Sequence, residues 1–144
     1  MLGNWIEINA KHFECFSKHY TMKNTINLNW LSLPEEHDYM AAMSYLSLIY
    51  EVAQAKQFVE KLEKAIVMEF KSKDIFRASS LSLLGISNKR VKRDLKKIEK
   101  GISLSPILLV RDSINGKVVI ADGYHRLCAV YALDEDLMIA CKIV

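Results

Sequence analysis

One glycine, Gly123, separates a strand pattern at residues 117–121 from a helix pattern at residues 124–133. Polar side chains crowd this junction: Asp122, Tyr124, His125 and Arg126. A glycine permits the tight turn that a strand-to-helix connection requires, and an Asp beside it is a frequent N-cap. The first N–H groups of a helix are unpaired and carry the positive end of its dipole. The junction therefore predicts either an anion-binding turn or a purely structural cap.

The binding interpretation gives each residue of the junction a role. The backbone amides of Gly123 and Tyr124 would hold a phosphate group, while His125 and Arg126 would neutralise its charge. Asp122 is the candidate catalytic residue, which would orient a hydroxyl group or bind Mg²⁺ through water. Tyr124 is expected to pack or stack, because an unactivated phenol is a poor nucleophile near neutral pH.

The motif Gly123-Tyr124-His125-Arg126 resembles the phosphate-binding signature of the ParB/sulfiredoxin-like superfamily. The order of strands and helices over residues 67–144 is also similar to that family. The resemblance implies an α+β fold, with a small mixed sheet and flanking helices, that binds ATP or CTP with Mg²⁺. Residues 33–144 also resemble a family of small bacterial proteins described as ParB-like, and membership of that family would assign a fold more firmly than a function.

Within that superfamily the motif argues against sulfiredoxin activity and favours nucleotide binding. Sulfiredoxins carry a nucleophilic cysteine where this chain has Tyr124, and Cys128 falls on an apolar helix face. Sulfiredoxin chemistry is therefore excluded, because it needs an accessible thiolate at the phosphate. The run Asp122 to Arg126 is similar to the turn of a ParB-like free serine kinase, whereas partition proteins bind CTP with a Gly-Glu-x-Arg turn.

The organisation of the chain predicts one compact unit preceded by helices. Its 144 residues, 51% of them hydrophobic, are enough for one core. We expect residues 1–31 to be an extension, residues 32–66 a helical hairpin and residues 67–144 the ParB/sulfiredoxin-like domain. Ser32 and Glu35 have the spacing of a capping box, and the apolar stretch 39–50 predicts a helix buried between partners.

An acidic cluster, Glu35, Glu36, His37 and Asp38, precedes that apolar stretch. Carboxylates and an imidazole could supply metal ligands or a catalytic base. Acidic residues are also common in the first turn of a helix, where the dipole favours them. The fold could bring His37 near Asp122, so both interpretations stay open.

Basic residues concentrate in one predicted helix near residues 87–101. Between Lys89 and Lys100 there are seven basic and two acidic residues, although the whole chain carries only +3. The candidate contacts to a nucleic-acid backbone are Lys89, Arg90, Lys92, Arg93, Lys96 and Lys97. The same helix could instead draw phosphorylated ligands to the glycine turn, or simply be solvated. Arg77 is a further candidate phosphate ligand, with an exposed ion pair to Asp74 as the alternative.

The remaining signals concern location and function. Cys15, Cys128 and Cys141 lack metal-ligand spacing, and no signal peptide or membrane span is evident, so we expect a cytoplasmic protein without membrane contact. The leading hypothesis is an α+β protein that binds a nucleotide or phosphorylated small molecule, with Mg²⁺-dependent phosphotransferase or nucleotide hydrolase activity as its extension. The alternative hypothesis is a non-enzymatic, DNA-associated regulator that uses the basic helix.

Overall fold

The computed structural model describes residues 26–144. Its helices are α1 (Glu36–Ile49), α2 (Val52–Lys64), α3 (Ser72–Ser79), α4 (Lys89–Glu99) and α5 (Tyr124–Leu133). Its strands are β1 (Met68–Lys71), β2 (Ile107–Asp112), β3 (Lys117–Asp122) and β4 (Met138–Ile143). The prediction of an α+β chain with a small mixed sheet is confirmed.

The four strands form one sheet in the order β1-β4-β2-β3. The β1–β4 and β2–β3 pairs are antiparallel, while β2 and β4 run parallel. Strands β2 and β3 form the hairpin that Asn115 and Gly116 predict, with Gly116 at φ +63°. Helix α5 connects β3 to β4, the strand that runs parallel to β2. This connection places the glycine turn at one end of the sheet.

Strand β2 is buried on both faces, and its alternate residues belong to two separate cores. Leu108 and Val110 pack in the core that includes the buried side chains of α1 and α2. Ile107 and Leu109 pack in the core that includes those of α3, α4 and α5. Successive strand residues point to opposite faces, so the apolar run of β2 holds both helical layers to the sheet.

Two helix starts differ from the sequence-based expectation. Helix α1 begins after Glu35, where the Asp38 carboxylate accepts the Glu35 N–H at 3.1 Å. The capping box predicted for Ser32 and Glu35 is therefore wrong, because the box lies three residues later. At α5 the N-cap is Gly123, with no side-chain cap hydrogen bond. Asp122 is instead the last residue of β3, and its carboxylate binds a side chain rather than the helix start.

Helix α1 is not buried between partners, which corrects the expectation for residues 39–50. Its buried residues are Asp38, Ala42 and Leu46. Met40 and Leu48 are 69% and 84% exposed within the part of the chain that the structure describes. One face of α1 thus covers the sheet, and the uniform apolar composition of this stretch conceals which face that is.

The segment before α1 packs on the core. Ile26, Leu28 and Trp30 contact the α3–α5 core, and the Leu31 N–H donates to the Leu104 carbonyl at 2.8 Å. Residues 1–25, which include Cys15 and most of the predicted extension, lie outside the described residues. Among residues 26–144, no helix has the length and apolar character needed to cross a membrane.

Candidate functional site

Arg126, on the first turn of α5, lies between two carboxylates. Its Nη2 is 2.5 Å from Asp122 Oδ2, and its Nη1 is 3.4 Å from Asp38 Oδ2. The side chain of Arg126 is 13% exposed and that of Asp38 is 5% exposed. Because Asp38 belongs to α1 and Asp122 to β3, this cluster connects the helical layer on one face of the sheet with the turn that begins α5.

The Asp38 carboxylate is held by further donors. Its Oδ2 accepts the hydroxyl of Ser105 and the backbone N–H of Glu35. The same Ser105 hydroxyl oxygen accepts the Glu35 N–H, with the two atoms 3.1 Å apart. Three donors therefore converge on Asp38 Oδ2: the Ser105 hydroxyl, the Glu35 N–H and the Arg126 guanidinium. They fix the orientation of the carboxylate, and none of them binds Oδ1.

The two carboxyl groups have pKa values displaced in opposite directions. Burial raises the pKa of Asp122 to about 6, and the nearby charge of Asp38 adds to this, although Arg126 opposes it. Burial would also raise the pKa of Asp38, but the Arg126 charge and hydrogen bonds from Ser105 and Asp122 outweigh it and lower that pKa below 3.8. Two carboxyl groups that share one guanidinium titrate as a coupled pair, in which Asp122 binds the proton more tightly than Asp38.

An open cleft of about 540 Å³ lies beside this cluster. Its charged and titratable lining consists of Glu35, His37, Asp38, Asp94, Lys97 and Arg126. Ser103 and Ser105 add hydroxyl groups to the same wall. The volume is in the range of small-molecule sites, and the cleft brings together acids from α1 and α4 with cations from α4 and α5.

The acidic cluster before α1 is part of this cleft. His37 Nε2 lies 3.5 Å from Glu35 Oε2 and 3.5 Å from Asp38 Oδ1. One ligand atom of each residue lies within 4.8 Å of the others, an arrangement that could hold a metal ion. Glu36 is not part of this group. His37 contacts Asp38, and the other carboxylate oxygen of Asp38 contacts Arg126. The proximity of His37 to Asp122 stays a prediction.

The glycine turn has a structural reason of its own. Gly123 has φ +105°, and a Cβ atom there would lie 2.7 Å from Ile107 Cβ. Glycine is therefore required because β2 approaches the turn closely, whether or not a ligand binds. Of the motif Gly123 to Arg126, Arg126 is the residue that lines the cleft.

Tyr124 and His125 face other neighbours. The Tyr124 hydroxyl donates to the Ser82 carbonyl, and the ring packs against the α3–α5 core. Burial lowers the pKa of His125, and the charge of Arg90 on α4 lowers it further. His125 thus lies toward the basic helix rather than beside Asp122.

Arg77 is not brought to the cluster. Its side chain is 82% exposed, and Nη1 lies 3.4 Å from Asp74 Oδ1 in the same helix. That exposed ion pair is the alternative which the sequence offered for this residue. Its role as a phosphate ligand stays a prediction, and the geometry gives it no support.

The six basic candidates of α4, Lys89, Arg90, Lys92, Arg93, Lys96 and Lys97, are all exposed. Lys97 lines the cleft, and the charges of Arg90 and Arg93 reach His125. The acid within this basic run, Asp94, is 5% exposed. Helix α4 therefore has a cationic outer surface and one inward-facing carboxylate.

Sequence reasoning did not identify Asp94 or Ser105 as site residues. Asp94 carries a signal that could have found it, since it follows Val91 by three positions and so falls on the apolar stripe of α4. An acid on a buried stripe needs a polar environment. Ser105 has no comparable signal, because only the pairing of residues 29–31 with Leu104 places it against α1.

The residues present fit Mg²⁺ better at the cleft than at Asp122. The Asp122 carboxylate is engaged by Arg126 and does not line the cleft. Glu35, Asp38 and Asp94 are the carboxylates that line the cleft. A metal role for Asp122 stays a prediction.

Fold and site together define an α+β protein with a charged cleft between the starts of α1 and α5. The chain matches no protein-family model, no curated protein and no solved structure.

Proposed function

We propose that this chain is a cytoplasmic, ParB/sulfiredoxin-like protein that binds a nucleotide or another phosphorylated small molecule in the cleft lined by Arg126 and Lys97. The observation that carries the proposal is the meeting of cations and carboxylates in one cleft. Arg126 and Lys97 come from different helices, yet both line it together with Asp38 and Asp94. Phosphoryl ligands need cations for binding, and phosphoryl transfer also needs carboxylates that orient a hydroxyl or water.

The guanidinium of Arg126 is held in one orientation, which suits the binding of an anion at a fixed position. Its Nη1 and Nη2 are directed to Asp38 and Asp122, which removes most of the side chain's rotational freedom. A guanidinium has five N–H donors, so donors remain for a ligand after these two contacts. Lys97 adds a mobile point charge from α4, and the exposed Arg93 lies one turn before it.

Asp38 is the proposed general base for the hydroxyl or water that attacks the phosphoryl group. Its Oδ2 is occupied by Ser105, Glu35 and Arg126, whereas Oδ1 faces His37 at the cleft. A carboxylate in this position accepts the proton of a hydroxyl or water that forms a bond to the terminal phosphorus, while the bond from that phosphorus to the nucleoside diphosphate breaks and the diphosphate leaves with the electron pair. Mg²⁺ bound with ATP or CTP would neutralise the phosphate oxygens, and the cleft carboxylates are the groups that would hold it.

The test is calorimetric titration of the full chain with ATP, ADP, CTP, GTP and inorganic phosphate, each with and without Mg²⁺. Lys97→Ala is expected to weaken binding about tenfold or more, since a charge-assisted hydrogen bond is lost. Lys96→Ala is the matched control, because Lys96 is exposed on the same helix but does not line the cleft. Absence of binding by every nucleotide and by inorganic phosphate, or equal losses in both variants, would contradict the proposal.

A second candidate function is DNA association through α4, as in a regulator without catalytic activity. The supporting observation is that all six basic side chains of the helix are exposed. Binding of this kind weakens steeply with salt, and Lys92→Ala with Lys96→Ala would reduce the salt slope by about two. The two functions separate in one experiment, because Lys96→Ala weakens DNA binding and leaves nucleotide binding unchanged.

A further inference from the structure

We propose that the outward face of α1 binds a second copy of this chain, so that two α1 helices pack antiparallel across a two-fold axis. Five exposed residues form this surface, here called the α1 face: Met40, Ala41, Ser44, Tyr45 and Leu48. Neither Arg126 nor Lys97 belongs to it. The proposal therefore does not rest on the proposed function.

The α1 face is apolar and largely exposed. Met40, Tyr45 and Leu48 are 69%, 41% and 84% exposed within residues 26–144. The stretch 39–50 contains no charged residue, and the inward side of the helix, which includes Leu46, is buried in the core shared with α2. Single exposed apolar residues are common on proteins, but a contiguous apolar surface marks an interaction site.

The size of this surface fits a reversible dimer. The apolar surface continues past the end of α1 to Ile49 and Val52, which are 49% and 63% exposed. With these two residues it measures on the order of 600 Å² per chain, so a symmetric pair would bury about 1,200 Å². That area is at the lower end for a specific interface, whereas obligate dimers bury more.

The order of residues along α1 is complementary to itself under a two-fold axis. In an antiparallel pair centred on Ser44, Met40 lies opposite Leu48 of the partner subunit, and the small Ser44 lies opposite its own copy. At the ends of the pair, the imidazole of His37 comes opposite the carboxylate of Glu51 of the partner subunit. Both residues are exposed, and a pair of this kind suits the polar rim of an interface.

The charges at the start of α1 favour the antiparallel arrangement over a parallel one. Glu35 and Glu36 are exposed at this end of the helix. A parallel pair would bring the acidic starts of both copies together, and like charges at close range oppose association. An antiparallel pair separates them by the length of the helix, about 20 Å for its 14 residues, and also aligns the two helix dipoles favourably.

Residues 1–25 are the other part of the system that could cover the α1 face, but the described chain starts elsewhere. Ile26 packs on the α3–α5 core together with Leu28 and Trp30. That core and α1 lie on opposite faces of the sheet. A second copy reaches the α1 face directly, whereas the residues before Ile26 would have to pass around the sheet.

The first measurement is analytical ultracentrifugation of the full chain over about 5–500 µM, and we expect a concentration-dependent equilibrium between monomer and dimer. Leu48→Lys is expected to weaken dimerisation at least about tenfold, because it places a charge in the apolar contact of each subunit. Ile114→Lys is the matched control. Ile114 is 96% exposed in the β2–β3 turn and outside the α1 face, so this variant should dimerise as wild type does.

Cysteine cross-linking tests the arrangement of the two helices. In a Cys15→Ser background, Ser44→Cys should form a disulfide-linked dimer on mild oxidation, because the antiparallel pair brings the two copies of residue 44 together. Ser113→Cys is the control, since Ser113 is exposed on the hairpin, and it should cross-link much more slowly. The remaining thiols, Cys128 and Cys141, are buried.

Three results would overturn the dimer: a monomer at every concentration, equal effects of Leu48→Lys and Ile114→Lys, or equal cross-linking of the two cysteine variants. Urea unfolding under monomeric conditions distinguishes a contact between chains from one within the chain. Because Leu48 is exposed, Leu48→Lys should then unfold as wild type does. A clear loss of stability in the monomer would mean that residues 1–25 cover the α1 face, which would also contradict the proposal.

Discussion

Asp38 and Arg126 are 88 positions apart in the chain, and their Oδ2 and Nη1 atoms lie 3.4 Å apart in the fold. Asp38 stands at the third position of α1 and Arg126 in the first turn of α5. The two helices lie on opposite faces of the sheet, and the Asp38–Arg126 contact joins their first turns. This contact therefore connects the two helical layers, and the candidate site lies beside it.

Removal of the guanidinium should destabilise the fold strongly. Arg126→Ala would leave two largely buried carboxyl groups without their shared cation, and breaking a buried pair by removing one partner costs about 3–5 kcal/mol. Urea unfolding at pH 7 measures this. Asp122→Asn in the Arg126→Ala background should restore part of the loss, because it removes one of the two negative charges. A loss below about 1 kcal/mol in the single variant would show that the pair is weakly coupled to the fold.

The raised pKa of Asp122 predicts how stability depends on pH. Its pKa is about 6 in the folded chain against an ordinary value of 3.8, so the folded state binds this proton more tightly than the unfolded chain does. The resulting stabilisation is complete below about pH 3.8 and is lost as pH rises through 6. Relative to Asp122→Asn, wild type should therefore lose stability between pH 4 and pH 7.5, by up to about 3 kcal/mol.

Comparison with Asp122→Asn separates the titration of the paired carboxyl groups from that of His125. The lowered pKa of Asp38 has the opposite sign, since its contribution is present above pH 3.8 and is lost as pH falls. The lowered pKa of His125 also favours the fold above about pH 6.5 and disfavours it below. His125 is present in both proteins, so its contribution cancels to first order. Asp38 titrates together with Asp122, so the difference reports the joint titration of the two carboxyl groups. A difference that is flat between pH 4 and pH 7.5 would contradict the assignment.

Local patterns predicted most of the elements, and long-range contacts decided the site. The helix and strand periodicities around Gly123 and in α4 specify those elements with boundaries close to the observed ones. The cluster depends on residues 38, 105 and 126, which only the order of strands brings together. Helix α1 shows the limit most clearly, because an apolar surface on all sides does not indicate whether Ala42 or Leu48 faces the sheet.

The close approach of β2 to the glycine turn predicts a large penalty for a methyl group there. In Gly123→Ala the new Cβ would lie 2.7 Å from Ile107 Cβ, in a backbone with φ +105°. Gly116→Ala is the matched control, because that residue has φ +63° and no heavy atom within 4 Å of the added Cβ. The control should lose about 1–2 kcal/mol for the left-handed backbone alone, whereas Gly123→Ala adds about 1–3 kcal/mol for steric overlap.

Thermal unfolding of the two glycine variants would measure that difference. Equal losses in the two would mean that backbone conformation alone requires Gly123, and that β2 can move away from the turn. A larger loss in Gly123→Ala would confirm that Ile107 is packed against the turn. Because Ile107 belongs to the α3–α5 core, such a loss would also show that the position of the α5 start depends on core packing.

The buried thiols predict that native protein lacks a reactive cysteine within residues 26–144. Cys128 and Cys141 are both fully buried; burial raises the pKa of Cys128, and raises the pKa of Cys141 to about 11. Thiol reactivity requires the accessible thiolate. In a Cys15→Ser background, which removes the cysteine outside the described residues, Ellman's reagent should label neither thiol at pH 8 and should label both after addition of urea. Rapid labelling of one thiol in the native variant would show that Cys128 is accessible beside Tyr124 or that β4 opens, and the Cys128→Ser variant would tell which.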